Sequence, residues 1–279
     1  MYWGYNIFHE GLRASSEHSF IISTISIESA GDTTMDRLEL HTISERYSDM
    51  INPITRKDMI FLGEVLNLNG ESRVIDFGAG FGEMLLLWAE NYGASGFGIE
   101  YRNAACKEAW ERIHEGGFED SIEIVEGDAS EVEFEKNRYD VACCIGASFI
   151  WGGFRNTIIA LKEAIQSEGQ IVIAEPHWRE MNVPDEIREK ERDAVFTESE
   201  LVGIAREEGF EVKYIQWASL EGWSQYVTGH WRSLVEWIKE NPDHEDLQQV
   251  TEHLHTTQDE YLTHIRKYVG LVTIVLTRI

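Results

Sequence analysis

One stretch of this chain, residues 73–82, combines a short hydrophobic segment, an acidic residue and three closely spaced glycines. The hydrophobic residues around Asp76 predict a buried strand, and the residues after Gly82 predict a helix. Glycines at 78 and 80 allow a sharp turn and let the backbone approach a ligand that a Cβ atom would exclude. The sequence therefore predicts a ligand-binding turn at the carboxyl end of a strand.

The spacing of these glycines argues against a bound pyrophosphate. A dinucleotide-binding turn has the pattern G-x-G-x-x-G, which would place a third glycine at position 83. Position 83 is a glutamate, and the third glycine is at 82. An acidic residue beside the turn also repels phosphate, so a nicotinamide-dependent oxidoreductase is disfavoured. An ordinary strand, turn and helix with a glycine-rich bend remains an alternative.

Two hydrophobic residues, Asp76 and alternating glycines together resemble the first motif of the class I S-adenosylmethionine (SAM)-dependent methyltransferases. This resemblance implies SAM as the cofactor and S-adenosylhomocysteine (SAH) as its product. SAM has no phosphate, but its methionine end carries an ammonium group and a carboxylate. By this resemblance the ammonium group lies near Asp76, and the backbone amides of Gly78, Ala79 and Gly80 hold the carboxylate.

Helices and strands alternate from residue 35 onward, which favours a parallel sheet with helices on both faces. The predicted strands are 74–77, 96–100, 122–125, 139–145, 171–174, 211–217 and 270–279. The resemblance implies an α/β protein with the three-layer α-β-α, Rossmann-like methyltransferase fold. Its seven-stranded sheet is expected to be mostly parallel, with the last strand antiparallel. Ligands of such sheets bind beyond the carboxyl ends of the strands.

Three regions are expected along the chain. Residues 1–34 are rich in Ser and lack a clear period, so they are either an N-terminal extension or the product of a start codon upstream of Met35. Residues 35–219 and 269–279 are expected to form the SAM-binding core. Residues 220–268 look helical and are predicted to form a cap inserted between strands six and seven. The sequence does not indicate an oligomeric state.

The composition restricts the partners. Acidic residues outnumber Lys and Arg by 50 to 24, which gives a formal net charge of −26. Such a surface repels nucleic acids and anionic membranes, so neither is expected as a partner. No apolar run reaches the roughly 18 residues that a membrane helix needs. The three cysteines lack metal-ligand spacing, so no metal is expected, and a reducing cytoplasm is the expected location.

Acidic residues close the second and third predicted strands, as Asp76 closes the first. A carboxylate at Glu100 can accept hydrogen bonds from both hydroxyl groups of a ribose. The resemblance assigns Asp128, after the third strand, to the adenine amino group. Each acid has an ordinary alternative as a surface residue. Acids at three successive strand ends are much less expected by chance, so together they predict SAM binding.

Further cofactor contacts follow from the same resemblance. The backbone of Ala129 is expected to help Asp128 bind adenine, and Tyr101 is expected beside the adenine ring. Ile145 and Gly146 close the fourth predicted strand, beside the methionine moiety.

Three other segments bring the resemblance closer. They are 147–154, 174–178 and 221–226. These segments are similar to an uncharacterised bacterial group of small-molecule-type methyltransferases, the YjhP-like proteins. The group implies a SAM-dependent methyltransferase fold without naming the methyl acceptor. The side chains expected to line a substrate pocket are Trp151, Trp178, Trp223 and Tyr226.

Two histidines are candidates for a catalytic role. Methyl transfer is an in-line displacement in which the enzyme mainly positions the acceptor, and a base is needed only if the acceptor arrives protonated. His177 follows the fifth predicted strand, either as that base or as a loop histidine bonded to the backbone. His230 recurs at helical spacing with Trp223 and Tyr226, either in the wall of a substrate pocket or in a packing stripe.

The function that fits these features is transfer of the sulfonium methyl group of SAM to an O, N, S or C atom of a small molecule. The predicted helical cap and the many aromatic residues favour a pocket over an open groove for a macromolecule. The alternative is a non-catalytic protein of the same fold that binds SAM or SAH.

Overall fold

The structure, a computed structural model, describes residues 35–191 and 195–279. The predicted N-terminal extension, residues 1–34, lies outside the described residues, as does any choice between start codons. Within the described ranges no helix has the length and hydrophobicity needed to cross a membrane.

Seven strands form a mixed sheet in the part of the chain that the structure describes. They are β1 (Arg73–Phe77), β2 (Ser95–Glu100), β3 (Ile122–Glu126), β4 (Tyr139–Ile145), β5 (Ile165–Trp178), β6 (Glu211–Trp217) and β7 (Val269–Thr277). Their order in the sheet is β3-β2-β1-β4-β5-β7-β6. Strands β1 to β5 pair in parallel, and β7 is antiparallel to both β5 and β6. The predicted fold class is confirmed.

Helices cover both faces of this sheet. They are α1 (Arg37–Glu45), α2 (Arg56–Leu66), α3 (Glu83–Tyr92), α4 (Asn103–Gly116), α5 (Phe154–Ala164), α6 (Asp185–Lys190), α7 (Glu198–Glu207), α8 (Leu220–Glu240), α9 (Leu247–Glu260) and α10 (Arg266–Tyr268). Helices α2 to α4 contribute to one hydrophobic cluster, and α5 and α7 contribute to another. Adjacent side chains of a strand point to opposite faces, so Cys143 belongs to the first cluster and Cys144 to the second. The two clusters join the three layers.

The predicted helical insertion between β6 and β7 is also confirmed. It consists of α8, α9, a π-helical turn over 261–265 and α10. Leu40 and Ile43 of α1 pack in one hydrophobic cluster with Leu234 of α8 and with Val250 and Leu254 of α9. The cap therefore consists of residues 220–268 together with α1. The predicted boundaries of the three regions remain a prediction.

Strand β5 extends four residues beyond its predicted end at residue 174. Its last residues pair with β7, with His177 opposite Gly270 and Trp178 opposite Val269. The prediction that residues 175–178 follow the strand is therefore wrong. Their hydrogen-bond partners lie about a hundred residues further along the chain, so no local pattern could reveal them.

Candidate active site

A cavity of about 1350 Å³ lies between the carboxyl ends of the strands and the cap. The predicted cofactor residues that line it are Asp76, Gly78, Ala79, Glu100, Tyr101, Asp128, Ala129, Ile145 and Gly146. These residues come from the ends of four different strands. They meet because the carboxyl ends of parallel strands share one edge of the sheet.

Asp76 is a buried carboxylate in the wall of this cavity. It pairs with Gly98 of β2 and Cys143 of β4, so strands flank it on both sides. It is 3% exposed, and its Oδ1 atom has no hydrogen-bond partner among the described residues. Burial, with a smaller contribution from nearby Glu100, raises the pKa of Asp76 to about 8. A buried carboxylate with an unused oxygen is suited to bind a cationic group.

The glycine turn uses its own amides. The N–H groups of Gly78 and Ala79 donate to the carbonyl oxygen of Ile99, at 2.8 and 3.0 Å. The N–H group of Gly80 donates to Oε2 of Glu100 at 2.9 Å, and Gly80 itself lies outside the cavity lining. These donors are paired with β2, and the expectation that they hold the methionine carboxylate remains a prediction.

Gly78 and Gly80 also allow close approach of neighbouring segments of the protein. Gly78 has φ +84°, and a Cβ atom there would lie 2.7 Å from Cβ of Ala147. Gly80 has φ +56°, and a Cβ atom there would lie 2.3 Å from Cδ1 of Ile51. Both positions combine a left-handed backbone with no room for a side chain, which glycine alone satisfies without strain.

Glu100 is held in one orientation. Its Oε1 atom accepts hydrogen bonds from the backbone N–H and from Nε of Arg102, at 2.9 and 3.0 Å. Arg102 also forms an ion pair with Glu45 of α1, with Nη1 2.5 Å from Oε2. A carboxylate has about four lone-pair positions, and three are used here, so Glu100 retains about one position for a hydroxyl group of a ligand.

Asp128 and Tyr101 lie at the more open part of the site. Oδ1 of Asp128 accepts hydrogen bonds from N and Oγ of Ser130, at 2.8 and 2.6 Å, which fixes the carboxylate in a tight turn. The Tyr101 side chain is 63% exposed at the cavity wall. Both residues are therefore accessible to a ligand.

His177 is not part of the cavity. Its ring covers Gly270, where a Cβ atom would lie 2.4 Å from Nε2 of the histidine. Its Nδ1 atom lies 3.2 Å from Oε1 of Glu198 in α7. Burial lowers the pKa of His177. The structure thus corrects the expected catalytic role, because the histidine packs within the sheet at β5 and β7.

Two of the expected pocket tryptophans also lie elsewhere. Trp151 packs edge-to-face on Phe77, with 5.3 Å between the ring centroids, in the cluster under α5. Trp178 lies beneath the guanidinium group of Arg188, 5.5 Å from the ring centroid. Neither lines the cavity, so the expected substrate contacts of Trp151 and Trp178 are corrected.

The aromatic stripe of α8 divides between packing and pocket. Tyr226 and His230 line the cavity, with 4.4 Å between their ring centroids. Trp223 lies outside the lining and stacks on Tyr261 at 6.4 Å, so its expected role in the pocket is corrected. Both interpretations of the stripe therefore apply, at different residues of one helix.

The sequence did not single out several residues that line the cavity. They are His41, Glu45, Arg102, Trp231 and Tyr261. Most of them belong to the cap, where helical periodicity predicts a buried face but not its partner. Arg102 lies two residues after Glu100, the recognised strand end, and this position was an available signal.

The histidines of α9 point in different directions. His253 lines the cavity, whereas His255 is exposed. Across residues 35–191 and 195–279, no group of three or more His, Cys, Asp or Glu side chains is arranged to hold a metal ion.

The fold and the acidic strand ends define a class I SAM-dependent methyltransferase, and comparison with known proteins agrees. Residues 74–169 match the family described as Methyltransferase domain. The chain is 31% identical over 240 residues to the uncharacterized protein YjhP of Escherichia coli (strain K12), covering 85% of this chain and 96% of YjhP.

Two solved structures are similar over most of their length. A SAM-dependent methyltransferase from Geobacter sulfurreducens, in complex with SAH, has a TM-score of 0.82 and 30% identity, covering 88% of this chain and 99% of that chain. A SAM-dependent methyltransferase from Thiobacillus denitrificans, also in complex with SAH, has a TM-score of 0.81 and 28% identity, covering 88% of this chain and 100% of that chain. The chain belongs to the SAM-dependent methyltransferase family that includes YjhP.

Proposed function

We propose that this methyltransferase transfers the methyl group of SAM to a small molecule that binds beside the cofactor in the same cavity. The size and position of the cavity carry this proposal. Its volume of about 1350 Å³ extends from the acidic strand ends to the cap. Pockets for a single ligand commonly measure about 300–1,000 Å³, so an acceptor fits in addition to the nucleoside.

The acidic residues of β1 and β2 are suited to two polar groups of SAM, the ammonium group and the ribose hydroxyls. Asp76 is assigned to the ammonium group, because its buried Oδ1 atom has no partner among the described residues. Glu100 is assigned to the ribose hydroxyls, because Gly80 and Arg102 already fix its orientation. Bound SAM supplies an electrophilic methyl group on sulfur with a neutral leaving group.

The remaining cofactor contacts follow the family resemblance. Asp128, Ala129 and Tyr101 are assigned to adenine, and Ile145 and Gly146 to the methionine moiety. All five line the cavity, which supports the assignment.

The cap residues are suited to position the acceptor rather than to deprotonate it. Burial lowers the pKa of His230 to about 4, so this histidine is a weak base near neutral pH. We therefore assign His230 and Tyr226 to acceptor binding. Catalysis then rests on holding the acceptor atom in line with the methyl group.

Charge and cysteine state support a small-molecule partner and a cytoplasmic location. The net charge of −26 disfavours nucleic acids and anionic membranes as partners. Cys106, Cys143 and Cys144 are buried and free, which supports the reducing cytoplasm as the location.

Methyl-labelled SAM tests this function directly. Purified protein is incubated with labelled SAM and a desalted extract supplemented with its own low-molecular-mass fraction. We expect the label in small molecules, and we expect Glu100→Gln to abolish it. Glu126→Gln is the matched control, because Glu126 pairs with Glu100 in the sheet but lies outside the cavity. Label in protein or nucleic acid would contradict the proposal.

A further inference from the structure

The cavity has two chemically different ends. Asp76, Glu100 and Asp128 place three carboxyl groups at the sheet end. The cap end is lined by aromatic and imidazole side chains, namely Tyr226, His230, Trp231, His253 and Tyr261. If SAM occupies the acidic end, the acceptor occupies the cap end.

Aromatic rings in this cap end have fixed mutual orientations. The rings of Tyr226 and His230 are inclined by 62°, and those of Trp231 and Tyr261 by 77° with 5.8 Å between centroids. Such edge-to-face pairs fix the planes of the rings. Aromatic walls of this kind favour contact with a planar ring.

Three ring nitrogens at this end are buried without a partner among the described residues. They are Nε2 of His230, Nε1 of Trp231 and Nδ1 of His253. A buried donor left unpaired costs about 1–3 kcal/mol, so a ligand that pairs with it gains affinity. An indole N–H group can only donate a hydrogen bond. The ligand must therefore offer an acceptor atom to Trp231.

The side chains of the cap end are uncharged near neutral pH. Burial lowers the pKa values of His230 and His253 and raises the pKa of Tyr226. Three cations lie near these side chains: Arg102 acts on His230 and is paired with Glu45 and Glu100, Arg179 acts on Tyr261, and Arg37 lines the cavity beside His41. A cationic ligand would be repelled by these arginines, and an anionic ligand would lose its hydration without a charged group among the five cap-end side chains to replace it.

We propose that the cap end is the acceptor subsite and that it takes an uncharged, planar aromatic molecule with a hydrogen-bond acceptor atom. The indole N–H group of Trp231 donates to that atom, and His230 and His253 supply the neighbouring polar contacts. This proposal rests on the proposed function, since it requires SAM at the sheet end.

Quinoline is a suitable probe, because it is planar, uncharged above pH 7 and carries one acceptor nitrogen. The full chain is loaded with SAH at pH 8 with ¹⁵N in its nine tryptophan indoles. Trp231→Phe assigns the Trp231 signal. We expect quinoline to shift that signal in a saturable manner. Its Kd should be at least about tenfold lower than that of naphthalene, which lacks the nitrogen.

Charged relatives and matched variants complete the test. Quinoline-2-carboxylate and 2-(aminomethyl)quinoline are expected to bind more weakly than quinoline. His230→Ala is expected to weaken quinoline binding without changing SAH affinity, whereas exposed His255→Ala is expected to change neither. Normal SAH binding with no quinoline shift, or tighter binding of a charged relative, would overturn the acceptor class. Loss of SAH binding in the parent protein would overturn the proposed function itself.

Discussion

Arg102 joins the ribose-binding candidate Glu100 to Glu45 of α1. Its guanidinium group lies 3.0 Å from Glu100 and 2.5 Å from Glu45, with both carboxylates largely buried. Burial raises the pKa of Glu45, an effect that Arg102 partly offsets. This link ties the position of a cap helix to the orientation of a cofactor residue.

Removal of Arg102 is expected to destabilise the fold and weaken SAH binding together. Arg102→Gln leaves two buried carboxylates without their cation, a change that costs about 3 kcal/mol in comparable buried pairs. The double variant Glu45→Gln/Arg102→Gln is expected to recover part of that loss. Urea unfolding measures the stability, and calorimetry measures the SAH affinity.

Arg73→Gln serves as the control for this change. Arg73 pairs with Glu135 at the surface, where one ion pair contributes about 0–1 kcal/mol. Equal losses in Arg73→Gln and Arg102→Gln would show that the buried position of Arg102 has no special importance.

SAH binding is expected to release a proton from Asp76. Free Asp76, with a pKa of about 8, is mostly protonated at pH 7. The ammonium group of the ligand favours the ionised carboxylate, so binding lowers this pKa and releases about one proton. Calorimetry at pH 7 in buffers of different ionisation enthalpy measures the number released.

The release should fall toward zero at pH 9.5, where free Asp76 is already ionised. Asp76→Asn should show no release at either pH. A binding enthalpy that does not depend on the buffer at pH 7 would contradict the assignment of Asp76 to the ammonium group.

The strand-end acids were predictable because sheet geometry alone determines where they meet. Asp76 and Glu100 close adjacent parallel strands, and Asp128 follows the next one, so their order in the sequence matched their order in space. The roles of the turn amides were not predictable, since the hydrogen bond from Gly80 to Glu100 depends on the exact rotamer of the acid.

The cap residues of the site could not be predicted from the sequence, for a different reason. His41 and His253 belong to helices more than two hundred residues apart in sequence, and they share a cavity only after the cap packs. His177 was misplaced because antiparallel pairing with β7 lengthens β5, and strand propensity does not report distant partners.

Glu175→Gln is expected to stabilise the folded state relative to the parent, and this gain in unfolding free energy should be larger at high pH than at low pH. Glu175 is 2% exposed, and burial raises its pKa to about 8. Its pKa in the unfolded chain is lower, so the folded state binds more protons between about pH 4.5 and 8. Stability of the parent therefore decreases with rising pH across that window.

Gln cannot ionise, so the advantage of the variant should grow across that window and then remain constant. A difference of about 1 kcal/mol corresponds to roughly 2–4 °C in Tm for a chain of this size. Thermal unfolding at pH 5 and pH 9 measures it, and a difference independent of pH would contradict the raised pKa.

His177→Ala is expected to affect stability and leave catalysis intact. The histidine packs on Gly270 within the sheet, so its removal should cost about 1–3 kcal/mol of unfolding free energy. Once the acceptor is identified, the kcat of the variant at saturating acceptor should equal that of the parent. A large loss of kcat with normal SAH affinity would return His177 to the active site.

The central claim is that the acidic strand ends bind the nucleoside, and calorimetry of SAH with two matched variants tests it most directly. Glu100 and Glu126 are paired neighbours at the ends of β2 and β3, but only Glu100 lines the cavity that the described residues form. The account predicts that Glu100→Gln raises the Kd for SAH at least about tenfold, whereas Glu126→Gln leaves it within about twofold of the parent. Equal affinities in all three proteins, or no SAH binding by the parent, would contradict it.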